Sequence, residues 1–76
     1  MRWVKIGTRE KAGVSTVIYA TQGSDLRIES RRRGKESTSW YIVMYGVEIC
    51  RRYTFADAKI YVERLLRSEN NGEEEG

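Results

Sequence analysis

The sequence contains no histidine, no proline and a single cysteine, Cys50. One cysteine excludes an internal disulfide and a thiolate zinc cluster. Without histidine, the commonest metal ligand and the commonest general base are both missing. The chain also lacks the glycine-rich phosphate-binding motifs GxxxxGKS/T and GxGxxG, and it has no readable pair of catalytic carboxylates. We therefore expect a protein that is not an enzyme and that uses no catalytic residue, metal or cofactor.

Long apolar runs are absent as well. No segment approaches the ~20 residues of a membrane span, and the N-terminus does not resemble a signal peptide. The composition, 39% hydrophobic and 33% charged in 76 residues, is typical of one small globular domain. We expect this domain over residues 1–69 and a disordered acidic tail over 70–76, in a reducing cytoplasm and without a membrane partner.

Charge is distributed unevenly along the chain. Residues 1–68 carry 14 basic and seven acidic side chains, a net charge of +7, whereas residues 69–76 carry four glutamates and no basic residue. Such a basic body favours anionic partners. Ten of the basic residues are arginines, whose planar guanidinium suits phosphates and base edges.

The first half of the chain predicts three strands. Residues 1–8 alternate roughly between apolar and polar side chains, and residues 14–21 are rich in β-branched side chains. Residues 26–32 alternate between apolar or small side chains and charged ones. Polar segments over 9–13 and 22–25 are expected to connect these strands. Residues 33–39 are expected to form a mobile loop that continues an arginine run.

The segment from Trp40 to Arg52 predicts a hairpin with a two-residue turn at Tyr45-Gly46. This turn pairs Met44 with Val47, Val43 with Glu48, Ile42 with Ile49, Tyr41 with Cys50, and Trp40 with Arg51. One face then holds Ile42, Met44, Val47 and Ile49, with Trp40 beside them in the core. The other face holds Tyr41, Val43, Glu48, Cys50 and Arg52. Trp3 is assigned neither to the core nor to the surface, because an N-terminal strand at the edge of the sheet would leave its side chain exposed.

A helix is predicted after this hairpin, with Thr54 as its N-cap. Its apolar face consists of Phe55, Ala58, Tyr61, Val62, Leu65 and Leu66. The helix is expected to end at Asn70-Asn71-Gly72. The predicted fold class is α+β: an antiparallel β-sheet of about four to five strands with one C-terminal α-helix packed on one face.

One helix covers only one face of such a sheet, so the other face is the candidate working surface. We expect it to display Arg27, Glu29, Arg31, Tyr41, Val43, Cys50 and Arg52, with Val17 and Tyr19 as further candidates. Arginines interleaved with tyrosines suit phosphate contacts and base stacking. The leading hypothesis is a small nucleic-acid-binding module, with DNA ahead of RNA as its partner. Its candidate contact residues are Arg27, Arg31, Arg32, Arg33, Lys35, Arg52 and, as a stacking platform, Tyr41.

An alternative hypothesis is a protein-binding module that uses the same open face, either as a homodimer or as an inhibitor of a host factor. Apolar or partly apolar side chains on a solvent-exposed face indicate that a binding partner buries them. The candidate contact patch consists of Tyr41, Val43, Cys50 and, on the helix, Ile60.

The predicted order of strands followed by a C-terminal helix resembles the small sheet-type DNA-binding domains of some mobile-element recombinases. That resemblance is one of architecture alone, and a shared architecture does not fix function. The short, basic chain is also similar in size and charge to the accessory proteins that phages and mobile elements encode.

Overall fold

The computed structural model describes the backbone of residues 2–75 and the side chains of residues 2–67. Its strands are β1 (Trp3–Lys11), β2 (Val14–Thr21), β3 (Leu26–Arg33), β4 (Ser39–Met44) and β5 (Val47–Arg52). They form one antiparallel sheet in chain order, and the helix α1 (Phe55–Glu75) follows. The predicted α+β fold, with five strands and a C-terminal helix, is confirmed.

Two tight turns of the same kind shape the sheet. Tyr45 and Gly46 have φ angles of 52° and 79°, and Ala12 and Gly13 have φ angles of 53° and 78°. Two successive residues with positive φ are typical of a type I′ hairpin turn, whose twist matches that of the flanking strands. The turn predicted at Tyr45-Gly46 is confirmed. The polar connection predicted over 9–13 is wrong for residues 9–11, because β1 continues to Lys11 and only two residues turn.

The register of the β4–β5 hairpin follows the prediction only near its turn. The two pairs next to the turn are as expected, Met44 with Val47 and Val43 with Glu48. Beyond them a β-bulge at Ile49 inserts one extra residue, so Ile42 pairs with Cys50. Ile49 is 36% exposed. A bulge is tolerated here because β5 is an edge strand, and bulged edges resist pairing with other chains.

This bulge overturns part of the predicted hairpin. Ile42 pairs with Cys50 and not with Ile49. Tyr41 pairs with Arg51 and not with Cys50, and Trp40 pairs with Arg52 and not with Arg51, so these three predicted pairs are wrong. Because directly opposed residues point to the same face of a sheet, the bulge moves Cys50 and Arg52 to the helix side.

The core lies between α1 and strands β3, β4 and β5. Its buried members are Leu26, Ile28, Ile42, Ala58 and Val62. At the start of the helix, the Phe55 ring stacks on Trp40 with centroids 4.9 Å apart and contacts Tyr19 at 4.7 Å. The core position predicted for Trp40 is thereby confirmed. Tyr19 and Val17 pair with Ile28 and Ser30, so both lie on the helix side and their expected place on the open face is wrong.

The helix begins where the sequence predicts. The backbone amide of Asp57 donates a hydrogen bond to Thr54 Oγ1 over 3.1 Å, which makes Thr54 the N-cap. The backbone stays helical to Glu75 and thus passes the end predicted at residues 70–72. Asn and Gly disfavour a helix by only about 1 kcal/mol or less each, and no proline forces it to stop. The domain limits 1–69 and 70–76 stay a prediction, because side chains from residue 68 onward lie outside the described residues.

Candidate nucleic-acid interface

The open face is the side of the sheet opposite α1, and the strand pairing arranges its side chains in rows. The row nearest the β1–β2 turn consists of Lys11, Val14 and Arg33, and the next consists of Arg9, Thr16, Arg31 and Ser39. The third row consists of Gly7, Ile18, Glu29, Tyr41 and Arg51. The fourth consists of Val4, Ala20, Arg27, Val43 and Glu48. These rows span all five strands.

Basic side chains outnumber acidic ones on this face. Among the described strands, the basic positions are Arg9, Lys11, Arg27, Arg31, Arg33 and Arg51, and the acidic ones are Glu29 and Glu48. Four of the basic positions fall in the two rows next to the β1–β2 turn. We call Arg9, Lys11, Arg31 and Arg33 the basic end. An uneven field of this kind attracts polyanions to one end of the sheet.

Arg31 is the most strongly held member of the basic end. Its Nη2 donates to Glu29 Oε1 over 3.0 Å, and its Nη1 donates to Glu48 Oε1. Arg9 also approaches Glu29 Oε1, at 3.8 Å. Burial alone would lower the pKa of Arg31, but the hydrogen bonds and negative charges of the two glutamates raise it. Arg31 is therefore charged, and its guanidinium already forms salt bridges with the carboxylates of Glu29 and Glu48.

Tyr41 lies directly beneath this ion pair network. The Arg31 guanidinium sits 4.3 Å from the centroid of the Tyr41 ring, in cation–π geometry. Arg51 lies close by, and its Nη2 is 3.4 Å from the Tyr53 hydroxyl. Hydrogen bonding and charge from Tyr53, and then from Tyr41, raise the pKa of Arg51. A base could stack on the covered side of Tyr41 only after displacing Arg31.

The predicted nucleic-acid contacts are only partly brought together. Arg27, Arg31, Arg33 and Tyr41 lie on the open face, with Arg27 two rows away from the basic end and bonded to the carbonyls of Ser24 and Leu26. The remaining three predicted contacts lie elsewhere.

Arg32 opposes Ser15 on the helix side, where its Nε donates to the Gly34 carbonyl over 2.9 Å. Lys35 is exposed in the loop between β3 and β4. The expected place of Arg52 on the open face is wrong: its guanidinium lies 4.9 Å from the Tyr61 ring of α1. The bulge in β5 causes this difference.

Three basic residues of the open face were missed by the sequence prediction, namely Arg9, Lys11 and Arg51. For the first two a signal existed, because a two-residue turn at Ala12-Gly13 extends the β1–β2 pairing as far as residue 11. For Arg51 no signal existed, since its face depends on the bulge at Ile49.

The patch predicted for a protein partner does not form one surface. Tyr41 and Val43 share the open face, but Val43 is only 6% exposed between its cross-strand neighbours. Cys50 packs against the core on the other face, and Ile60 is exposed on α1. The grouping of these residues is therefore wrong.

Comparison with known proteins adds no relative. No family model, curated protein or solved structure matches the chain. Among the described residues, no helix is long and apolar enough to cross a membrane. The same part of the chain holds no group of three or more His, Cys, Asp or Glu side chains that could bind a metal ion.

Because the Glu48 carboxylate forms a salt bridge with Arg31 and so competes with phosphates, we expect Glu48→Gln to tighten nucleic-acid binding. The substitution frees Arg31 Nη1 for a phosphate, while Nη2 stays bonded to Glu29, and one added phosphate contact would steepen the slope of log K against log salt by at most about 0.9. Fluorescence anisotropy with labelled DNA over a salt series measures this slope. Glu63→Gln on α1 makes the same change of charge away from Arg31 and should have a much smaller effect. Equal effects of the two substitutions would contradict an internal competition for Arg31.

Proposed function

We propose that this protein is a small nucleic-acid-binding module that holds phosphates on its open sheet face, chiefly at the basic end. The observation that carries the proposal is the clustering of Arg9, Lys11, Arg31 and Arg33 in two adjacent rows. Lysine and arginine that neutralise phosphates release condensed counterions, which is the main source of sequence-independent affinity for nucleic acids.

The spacing of these rows suits a chain of phosphates. Lys11 and Arg33 lie two strands apart. Strands are about 4.8 Å apart and alternate residues along a strand are roughly 6.7 Å apart, so the four side chains define an area of about 10 by 7 Å. Long, flexible side chains around such an area reach several phosphates at once. A basic surface of this kind fits an accessory role in a phage or mobile element, with DNA as its partner inside the cell.

Salt dependence tests this function. Three phosphate contacts, from Arg9, Lys11 and Arg33, predict a slope of about −2.7 in log K against log salt, which corresponds to a roughly 40-fold loss of affinity between about 50 and 200 mM salt. Anisotropy titrations of labelled single- and double-stranded DNA and RNA provide the measurement. The absence of binding to every probe at about 50 mM salt would rule out the proposal.

A further inference from the structure

The helix does not cover the whole length of the sheet on its own side. Phe55, the first residue of α1, stacks on Trp40. Near the other end of the sheet, Leu66 lines a pocket together with Leu26 and Met44. The helix therefore begins at the level of Trp40 and runs away from the β1–β2 turn. Between Phe55 and that turn, the helix side of the sheet is left open.

A cleft with a volume of about 450 Å³ lies on this open part. Strands β1, β2 and β3 and the loop between β3 and β4 provide its lining. The side chains that line it are Glu10, Ser15, Val17, Ser30, Arg32 and Thr38. Small-ligand sites measure about 300–1,000 Å³, so the cleft has the size of such a site and is lined mainly by polar groups.

Ser30 is the buried polar residue of this cleft. It is 7% exposed and lies in one strand row with Val17 and Trp40. Within the described part of the chain, its hydroxyl has no hydrogen-bond partner, and Trp3 Nε1 is the side-chain atom that is both unbonded and fully buried. The Ser30 hydroxyl is therefore reachable from the cleft. A buried hydroxyl costs free energy unless a partner bonds it, and a ligand in the cleft supplies that partner.

Arg32 supplies a positive charge to the same cleft. Its Nε donates to the Gly34 carbonyl over 2.9 Å, which holds the guanidinium beside the loop. The salt bridges among the described residues involve Arg9 and Arg31 but not Arg32. The two terminal nitrogens of Arg32 are therefore available to an anion, and their planar fork matches the geometry of a phosphate.

Glu10 places a carboxylate across the cleft from this charge. Glu10 and Arg32 pair with Ser15 from its two sides, so they lie two strands apart. That spacing separates their backbones by about 10 Å. A phosphate bonded to Arg32 avoids the Glu10 carboxylate at this separation. Glu10 is then positioned to accept hydrogen bonds from hydroxyl groups at the other end of the same ligand.

We propose that this cleft binds a phosphate monoester of a sugar, either a free sugar phosphate or a nucleotide. Arg32 binds the phosphate, the hydroxyls of Ser15 and Ser30 bond the middle of the ligand, and Glu10 accepts hydrogen bonds from the sugar hydroxyls. This site is separate from the proposed nucleic-acid interface, because the two lie on opposite faces of the sheet.

The first test titrates the unmodified protein by isothermal calorimetry with ribose 5-phosphate, adenosine 5′-monophosphate, ribose and inorganic phosphate. We expect both phosphate esters to bind with dissociation constants below about 1 mM. Inorganic phosphate should bind at least about tenfold more weakly, and ribose should show no binding. Tighter binding of the adenosine ester identifies a nucleotide site, whereas equal binding of the two esters identifies a sugar phosphate site.

The second test uses variants of the lining. Arg32→Gln should weaken the binding of ribose 5-phosphate by at least about tenfold, because the charged fork is lost. The matched control is Arg64→Gln, which removes the same charge from an exposed position on α1 and should bind normally. Ser30→Ala should weaken binding roughly fivefold. Its stability in urea should be unchanged or higher, since the hydroxyl has no partner among the described residues.

Four results would overturn the inference. They are no binding of either ester, inorganic phosphate binding as tightly as ribose 5-phosphate, equal effects of Arg32→Gln and Arg64→Gln, and normal binding by Ser30→Ala. None of them bears on the proposed function, which the salt-dependent titrations with nucleic acids test on the other face.

Discussion

Replacing Arg9, Lys11 and Arg33 together by glutamine should weaken DNA binding by roughly 100-fold or more at about 50 mM salt, because three phosphate contacts are lost. The slope of log K against log salt should become shallower by about 2.7, at 0.9 for each contact. None of the three side chains is buried, so the fold should survive. Arg31 is left in place because its bonds to Glu29 and Glu48 also organise the face.

The control for this variant removes the same charge elsewhere. Lys5 lies on the helix side of β1, and Arg64 and Arg67 are exposed on α1. Replacing these three by glutamine changes the net charge equally but leaves the basic end intact. Only a small change in slope is expected. If both triple variants lost affinity equally, binding would depend on total charge rather than on the basic end, and the proposed interface would be wrong.

The fold could be predicted because its signals are local. Alternating side chains in β3, the β-branched run of β2 and the Thr54 cap each specify an element within a few residues. The Tyr45-Gly46 turn fixed the two pairs beside it, although tyrosine is an unusual residue at positive φ. Such signals need no knowledge of which other strand lies nearby.

The candidate site was less predictable because a face depends on register. Side chains alternate along a strand, so one inserted residue reverses every assignment beyond it. The bulge at Ile49 moved Arg52 to α1 and placed Arg51 on the open face. Two neighbouring arginines thus exchanged roles, and nothing in the local composition distinguishes them. Arg27, Arg31 and Tyr41 kept their predicted face because β3 and β4 pair without a bulge.

The site also depends on charge pairing that a one-dimensional pattern does not reveal. Arg31 was predicted as a phosphate contact and Tyr41 as a stacking platform. Their placement on one face is observed, but Glu48 comes from β5 and reaches Arg31 across β4. The balance of charge on the open face is therefore set by three strands together, and it shifts the expected contacts toward Arg9, Lys11 and Arg33.

The register of β5 can be tested by stability, and Ile42→Ala is expected to destabilise the protein by about 2–5 kcal/mol. Ile42 is 0% exposed and packs in the core with Ile28, so its truncation leaves a cavity under α1. Ile49→Ala should cost less than about 1 kcal/mol, because this side chain lies partly in solvent at the bulge. Urea denaturation followed by tryptophan fluorescence measures both values.

A domain of this size has a free energy of unfolding of roughly 4–11 kcal/mol, so Ile42→Ala could leave little folded protein. Ile42→Val provides a milder comparison, with an expected cost of about 0.5–1.5 kcal/mol, and Ile49→Val should be close to neutral. In a hairpin without the bulge, Ile49 would oppose Ile42 and pack under the helix. Equal costs at the two positions would therefore favour that register, and they would return Arg52 to the open face in place of Arg51.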